Sequence, residues 1–338
     1  MITYIAIPSI ITIAKVKKLV DEPDERRAHS KSIPTLGGIA IFAGVIFSII
    51  LWTPFEVFGN LQYILCAIVI LFLIGAKDDI IPLDPYKKFM GQIFAAFILV
   101  FKANIKITSF YGILGINGLP DWLSVIVSIF TILVIINSMN LIDGVNALCA
   151  SVGLIICVTL GFWFKTADQI VFAIIAAALV GSLVAFMKFN ISPAKIFMGD
   201  TGSMLVGVIC SILAISFIEA NKNGVSEDLQ VSAAPALAIA VLFIPLFDTL
   251  RVFFIRVMKG RSPFAADKQH LHHLLLELNL SHLQVTTILI LLNTLIIGVV
   301  FKLQFLGNIT LLWLIMITGI GFTVVLNTLR SRRNLNKA

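Results

Sequence analysis

Charge is what this chain has least of. Asp, Glu, Lys and Arg make up 13% of its 338 residues, where soluble proteins carry about a quarter. Mean hydropathy is +1.03 and 59% of residues are apolar. A water-soluble globular fold is excluded, because one aqueous core cannot hide that much apolar side chain. Cysteine is scarce as well. Cys66, Cys149, Cys157 and Cys210 lie in or beside apolar runs, and none stands in a C-x-x-C pair. That removes the thiolate zinc sites and leaves small buried hydrophobes as the plain reading. Long linkers, low-complexity tracts and short repeats are missing too, so residues 1–338 are expected to form a single integral-membrane domain. The first apolar stretch runs into Lys15, Lys17 and Lys18 rather than a small-residue cleavage site, so it reads as a retained helix and not a signal peptide.

What fills the chain instead is apolar runs. A helix that crosses a bilayer takes roughly 20 apolar residues. Eleven runs approach this, near 1–19, 38–54, 61–76, 89–103, 121–139, 146–164, 168–187, 201–218, 233–251, 283–301 and 308–328. The expected fold is all-α and polytopic, with about 11 transmembrane helices. Lys and Arg collect in cytosolic loops. With the N-terminus outside and spans alternating, 20 of the 25 basic residues face the cytosol, leaving Lys102, Lys106, Lys165, Lys222 and Lys302 outside. The C-terminus is then cytosolic. The net charge of +7 needs no nucleic acid to explain it, because anionic lipid and an anionic substrate suffice.

Polar islands interrupt the runs, and this topology puts them all on the cytosolic side. In Phe197-Met-Gly-Asp200-Thr-Gly-Ser203 a carboxylate opens a long apolar helix; backbone N–H groups beside it would suit a metal bridging to phosphate. Asp78-Asp79 ends the third run. Adjacent carboxylates on a helix diverge by about 100°, and Lys88 stands close enough in sequence to return to them as a point charge for phosphate. In Asn137-Ser-Met-Asn140-Leu-Ile-Asp143-Gly-Val-Asn146 a polar residue recurs at every third position. On a helix that is one stripe, read either as oxygen ligands and amide donors or as glue between helices. The stretch 21–38, with His29 and Gly37-Gly38, reads as a solvated basic loop or as a clamp for an anionic head group. Asn190 and Phe197 offer an amide and an aromatic face, a pair able to hold a base. His270, His272 and His273 could hold zinc, but the surrounding donors are oxygens suited to Mg2+. Helical spacing puts His270 and His273 on one face and His272 elsewhere; His282 reads as a separate surface residue.

Taken in order, Pro34 to Gly38, Asp78-Asp79, Asn137 to Gly144, Phe189 to Ser203, and Ser262-Pro263-Phe264 through His273 resemble the polyprenyl-phosphate N-acetylhexosamine-1-phosphate transferases, the WecA/TagO/MraY superfamily. The resemblance spans residues 21 to about 283. It implies Asp200 as the main Mg2+ ligand with Asn140 second, and Mn2+ as a substitute ion. It implies Lys88 and His270, His272 and His273 on pyrophosphate and sugar, and Asn190 and Phe197 on uracil. Asp78 and Asp79 would lie where lipid phosphate meets donor, Asp143 would belong to the essential stripe, and Asn137, Asn146 and His29 would contact substrate. The implied partners are a UDP-N-acetylhexosamine and a polyprenyl phosphate, in a homodimer of the bacterial inner (cytoplasmic) membrane. Two departures from the family pattern stand out: Asn146-Ala147 where an Asp and a Gly are common, and Lys268 where Arg is common.

The implied reaction moves N-acetylglucosamine 1-phosphate, or a close relative, from UDP to undecaprenyl phosphate and releases UMP, an early membrane step in cell-envelope polysaccharide synthesis. Direct attack by the lipid phosphate is the expected route, with Asp78 or Asp79 orienting the acceptor or taking its last proton; a phospho-aspartate is the rival. Leu271 interrupts the histidines, which favours simple UDP-sugars over the muramoyl-pentapeptide donor of peptidoglycan synthesis. From another class, an ion-coupled transporter would use intramembrane carboxylates near the bilayer midplane. Carboxylates gathered at one face argue against it.

Overall fold

A computed structural model describes residues 1–21, 33–223, 225–262 and 269–335. It is built from helices that stand at every apolar run. In chain order these are α1 (Ile2–Val16), α2 (Gly37–Trp52), α3 (Leu61–Ile80), α4 (Pro85–Phe101) and α5 (Asp121–Leu141). Next come α6 (Leu148–Thr166), α7 (Ile170–Asn190) and α8 (Gly199–Asn223). The chain finishes with α9 (Ala234–Val241), α10 (Phe243–Met258), α11 (Leu271–Glu277), α12 (His282–Lys302) and α13 (Asn308–Leu335). Six of them are each long and apolar enough to cross a membrane: α5, α6, α7, α8, α12 and α13. The bent pair of α9 and α10 raises this to seven. The chain is a multi-pass membrane protein.

The start signals are local. Asp84 accepts from the Tyr86 N–H at 2.8 Å with Pro85 in the first position of α4, and Ser281 and Gln284 close a capping box on α12. The break between α9 and α10 is different, because it falls inside one apolar run and bends the chain by 64°. Asn293 of α12 repairs it. Its Oδ1 accepts the Ile244 N–H at 3.1 Å, and its Nδ2 faces the carbonyls of Ala240 and Val241 at 3.4 and 3.3 Å. Freed backbone groups at membrane depth need such partners, since lipid offers none.

α8 is the hub. Of its 18-residue apolar window 94% is buried, against 22% for α13 at the periphery. It packs on α2, α3, α5, α6 and α9. Close approach at its first turn depends on glycine: a side chain at Gly38 of α2 would come within 2.2 Å of the Gly202 nitrogen. The segment ahead of α2 is held by β1 (Val20–Asp21) pairing antiparallel with β2 (Ile33–Pro34). It then zips onto the segment ahead of α8. Phe197 N–H donates to Pro34 at 2.7 Å, and Gly37 and Gly38 donate to the carbonyls of Phe197 and Met198 at 2.9 and 2.8 Å.

Candidate active site

Three helices end and three begin around the first turn of α8. The C-termini of α3, α5 and α7 and the N-termini of α4, α6 and α8 thereby bring together residues far apart in sequence. At the centre is Asp200. Its Oδ2 lies 2.5 Å from the Lys88 ammonium, and its Oδ1 accepts from the Asn140 amide. Lys88 also reaches Asp78 Oδ2 at 3.1 Å, while Asp78 Oδ1 accepts the Leu83 N–H at 2.6 Å. One cation therefore bridges two carboxylates supplied by different helices. Asn140 further contacts Ser203 Oγ at 2.8 Å.

Asp79 does something else. Diverging from Asp78 as neighbours on a helix must, its carboxylate accepts the N–H of Asp200 at 2.7 Å, the N–H of Thr201 at 3.0 Å and the Thr201 hydroxyl at 2.5 Å. It is the N-cap of α8, delivered from α3. Asp143 completes the cap by accepting the Gly199 N–H. Gly199 sits at φ +72, and a side chain there would collide with the Thr35 carbonyl and the Asp79 carboxylate. The expectation that this turn offers bare N–H groups to phosphate is thus corrected, because Asp79 and Asp143 already hold them. Burial pushes the Asp143 carboxyl well above the usual range, the charges of Asp200 and Asp79 add to this, and the Gly199 N–H opposes it.

The polar stripe of α5 is also corrected. The helix ends at Leu141, so Asn137 and Asn140 point from its last turns while Asp143 and Asn146 lie beyond it. Asn137 donates to Gln92 Oε1 at 2.8 Å, and Gln92, 1% exposed, sits one turn below Lys88 on α4. Asn146 turns outward to Ser192 Oγ at 2.8 Å, and its N–H faces His282 Nδ1 at 3.4 Å. His282 therefore belongs to this cluster and is not a separate surface residue. Asn190, expected with Phe197 around a base, is 5% exposed. Its Oδ1 accepts the Ala147 N–H at 2.6 Å and its Nδ2 donates to the Ile196 carbonyl at 2.8 Å. Its amide braces two loops, while Phe197 is half-buried and fixed by its backbone.

The three histidine rings adjoin one another instead of dividing between faces. His270 precedes α11, and its ring lies 5.6 Å from that of His272 at an interplanar angle of 8°. The His272 and His273 rings are 4.3 Å apart. His272 is buried against Gly144, where a side chain would come within 2.9 Å of its Nε2. Desolvation, helped by His273, holds its pKa down at about 3, so it stays neutral. His29 and Lys268 fall outside the described residues. Asp248 and Arg251 were missed in the sequence, although two charges inside the run 233–251 are a signal in their own right. Asp248 lies 2.9 Å from His270 Nδ1. Gln92, Thr201 and Ser203 were missed for want of any such contrast.

Among the described residues no group of three or more His, Cys, Asp or Glu is arranged to hold a metal. Mg2+ does not require one, since it commonly takes one or two carboxylates and fills its remaining positions with water and substrate phosphate. Asp200, Asp78 and Asn140 supply hard donors of that kind, and the Lys88 ammonium between the two carboxylates marks where a cation is stabilised. The residues fit the ion.

Comparison with known proteins gives a family match and named relatives. Residues 61–218 match glycosyl transferase family 4, a stretch that contains the whole Asp78, Lys88, Asn140 and Asp200 centre but not the histidines. The decaprenyl-phosphate N-acetylglucosaminephosphotransferase of Mycobacterium leprae is 33% identical over 310 residues, covering 86% of this chain and 78% of the relative. The probable undecaprenyl-phosphate N-acetylglucosaminyl 1-phosphate transferase of Bacillus subtilis is 28% identical, covering 83% and 76%. The undecaprenyl-phosphate alpha-N-acetylglucosaminyl 1-phosphate transferase of Escherichia coli O157:H7 is 28% identical, covering 78% and 71%.

Proposed function

This chain belongs to glycosyl transferase family 4, and from that premise we propose that it transfers N-acetylglucosamine 1-phosphate from UDP-N-acetylglucosamine to a polyprenyl phosphate, releasing UMP. The observation that carries the reading is Lys88 bridging Asp78 and Asp200 beside Asn140. A reaction between two polyanions needs charge neutralisation and alignment more than it needs a strong base, since the acceptor phosphate is already an anion. Bound Mg2+ on Asp200 and Asn140 would neutralise the diphosphate and align it for displacement.

The chain's own residues divide the remaining work. Lys88 leaves its bridge to take a phosphate oxygen as a point charge. Asp78, released from Lys88, orients the acceptor. Asp79 serves the fold, since its oxygens are occupied by the first turn of α8. That occupation favours direct attack of lipid phosphate on the sugar-bearing phosphorus over a phospho-aspartate at Asp79. In the step a lipid phosphate oxygen bonds to that phosphorus, and the bond to the oxygen bridging to UMP breaks. The names of the relatives and the Leu271 interruption support a simple sugar donor over muramoyl-pentapeptide. Helices at all eleven apolar runs, together with the basic-residue bias, support eleven spans with the N-terminus outside and the site on the cytosolic face of a bacterial cytoplasmic membrane.

The test incubates purified protein with undecaprenyl phosphate, Mg2+ and single UDP-N-acetylhexosamines, following UMP and lipid-linked sugar. Transfer from UDP-N-acetylglucosamine that disappears in Asp200→Asn supports the assignment. Absence of transfer from every simple sugar refutes it and turns the question to the muramoyl-pentapeptide donor.

A further inference from the structure

Asp248 is a buried charge that the reaction above does not use. It is 1% exposed, in the first half of α10. A carboxylate in such a place is costly unless its oxygens are engaged. Oδ1 accepts from Arg251 Nη2 at 3.0 Å and from the Leu271 N–H at 2.9 Å, and Oδ2 lies 2.9 Å from His270 Nδ1. Arg251 also donates to the Gln269 carbonyl. One turn of α10 thus grips three consecutive residues, 269–271, where α11 begins.

Bracing alone does not require this chemistry. His270 makes no side-chain cap on α11, so the Leu271 N–H needs an outside acceptor. A neutral amide or hydroxyl would satisfy it. A carboxylate against Nδ1 does more, because it accepts a hydrogen bond there and so favours the Nδ1–H tautomer. The other nitrogen, Nε2, is then the one left for chemistry. His270 stacks on His272, which meets the His273 ring at a tilt and lies with its Nε2 against Gly144, the neighbour of Asp143. Asp248 therefore meets the histidine cluster at His270, while the cluster meets the loop of Asp143 through His272.

We propose that Asp248 is a positioning residue for the transfer reaction: through Nδ1 it fixes the tautomer and orientation of His270, so that Nε2 faces the anionic donor, while Arg251 holds the loop in register. The proposal rests on the transferase reading above.

The experiment is a double-mutant cycle on the full-length protein, comparing wild type, Asp248→Asn, His270→Gln and the double variant in the UMP-release assay. Asp248→Asn is expected to lower kcat by about 10- to 100-fold, below the 10²–10⁴-fold typical of removing an acid–base group itself. The KM for UDP-N-acetylglucosamine should stay within about threefold. In the His270→Gln background the same substitution should cost less than about threefold, because its route of action is gone. An equal loss in both backgrounds would reduce Asp248 to a loop brace and overturn the proposal. Nitrogen-15 spectra of histidine-labelled wild type give a reading that depends on neither variant folding nor catalysis. His270 should be protonated at Nδ1, and the Nε2–H tautomer would overturn the proposal. Wild type inactive with every donor would sink the transferase reading, and the tautomer would still decide whether Asp248 governs His270.

Discussion

Asp79 separates a structural carboxylate from a chemical one, and Asp79→Ala tests the difference. The substitution leaves the N–H groups of Asp200 and Thr201 and the Thr201 hydroxyl without their acceptor, at the start of the most buried helix. A lost N-cap costs about 0.5–2 kcal/mol and each stranded buried donor about 1–3 kcal/mol. Local relaxation and water reduce the sum, so a loss of about 2–4 kcal/mol is expected. An unfolding entropy of roughly 2.1 cal/mol/K per residue over 338 residues converts this to a fall in Tm of about 3–6 °C. Helices that persist in detergent make the unfolding entropy smaller and the shift larger. Asp78→Ala is the internal control, since among the described residues Asp78 accepts one backbone N–H, from Leu83, beside its side-chain contacts with Lys88 and Asp200. Its loss should be about half as large or less.

The protein carries its own reporters for this measurement. Cys149, Cys157 and Cys210 are buried and Cys66 is exposed. In a Cys66→Ser background a thiol-reactive dye therefore signals opening of the α6–α8 core. Asp79→Ala should react at a lower temperature than Asp78→Ala, and both below the parent. An unshifted Asp79→Ala protein that has nonetheless lost transfer would refute the capping argument and return Asp79 to the list of chemical groups.

Asp200→Asn should keep its fold and lose transfer by about 10²–10³-fold, the usual loss on removing one electrostatic stabiliser; activity within threefold of wild type would remove it from the centre. Chelation with EDTA should abolish transfer, with Mg2+ restoring it and Mn2+ substituting; full activity in EDTA would count against the metal. Ala147 caps α6 at φ +64, in the left-handed region. That costs a side-chain-bearing residue about 1–2 kcal/mol, and the greater freedom of glycine when unfolded returns about 0.4–1, so Ala147→Gly should stabilise by about 0.5–1 kcal/mol in the dye assay. His272 gives the pH dependence. Its folded pKa is about 3 against an ordinary 6.5, so below 6.5 the unfolded chain binds a proton that the folded one refuses, and stability falls with pH. At pH 5 this amounts to about 2 kcal/mol at 1.36 per unit, and His272→Gln should show a correspondingly shallower fall in Tm between pH 7.5 and 5.

The helices were legible because bilayer thickness imposes a length that hydropathy reads directly, and the polar islands were legible because charge is rare in such runs. What escaped was where chains break and whom they meet. The break between α9 and α10 lies in unbroken apolar sequence, and Asn293, which mends it, stands 49 residues beyond Ile244. The stripe from Asn137 to Asn146 has perfect helical spacing, yet the helix stops at Leu141 and sends its members to Gln92, Asp200, Gly199 and Ser192. Periodicity describes a helix but does not say where it ends. Asn190 looked like a binding amide because polarity at a membrane edge carries no label for its partner.

The first turn of α8 is the reason the proposed site calls for cations. A helix N-terminus in a low-dielectric setting is ordinarily an anion site, through its unpaired N–H groups and its dipole. Here Gly199, Asp200 and Thr201 give those N–H groups to Asp143 and Asp79, so the helix has already received its acceptors from within the chain. The same turn then adds a third carboxylate, Asp200, aimed the other way. The result is an excess of negative charge where the proposed reaction would bring two phosphate-bearing substrates together. Lys88 offsets part of it in the resting protein by bridging Asp78 and Asp200. A polyanionic donor can enter only with further positive charge, which is what a divalent ion on Asp200 would provide. On this argument, Lys88→Gln should weaken donor binding and raise the concentration of Mg2+ needed for half-maximal transfer together. A variant that changed one without the other would separate the two charges that this geometry couples.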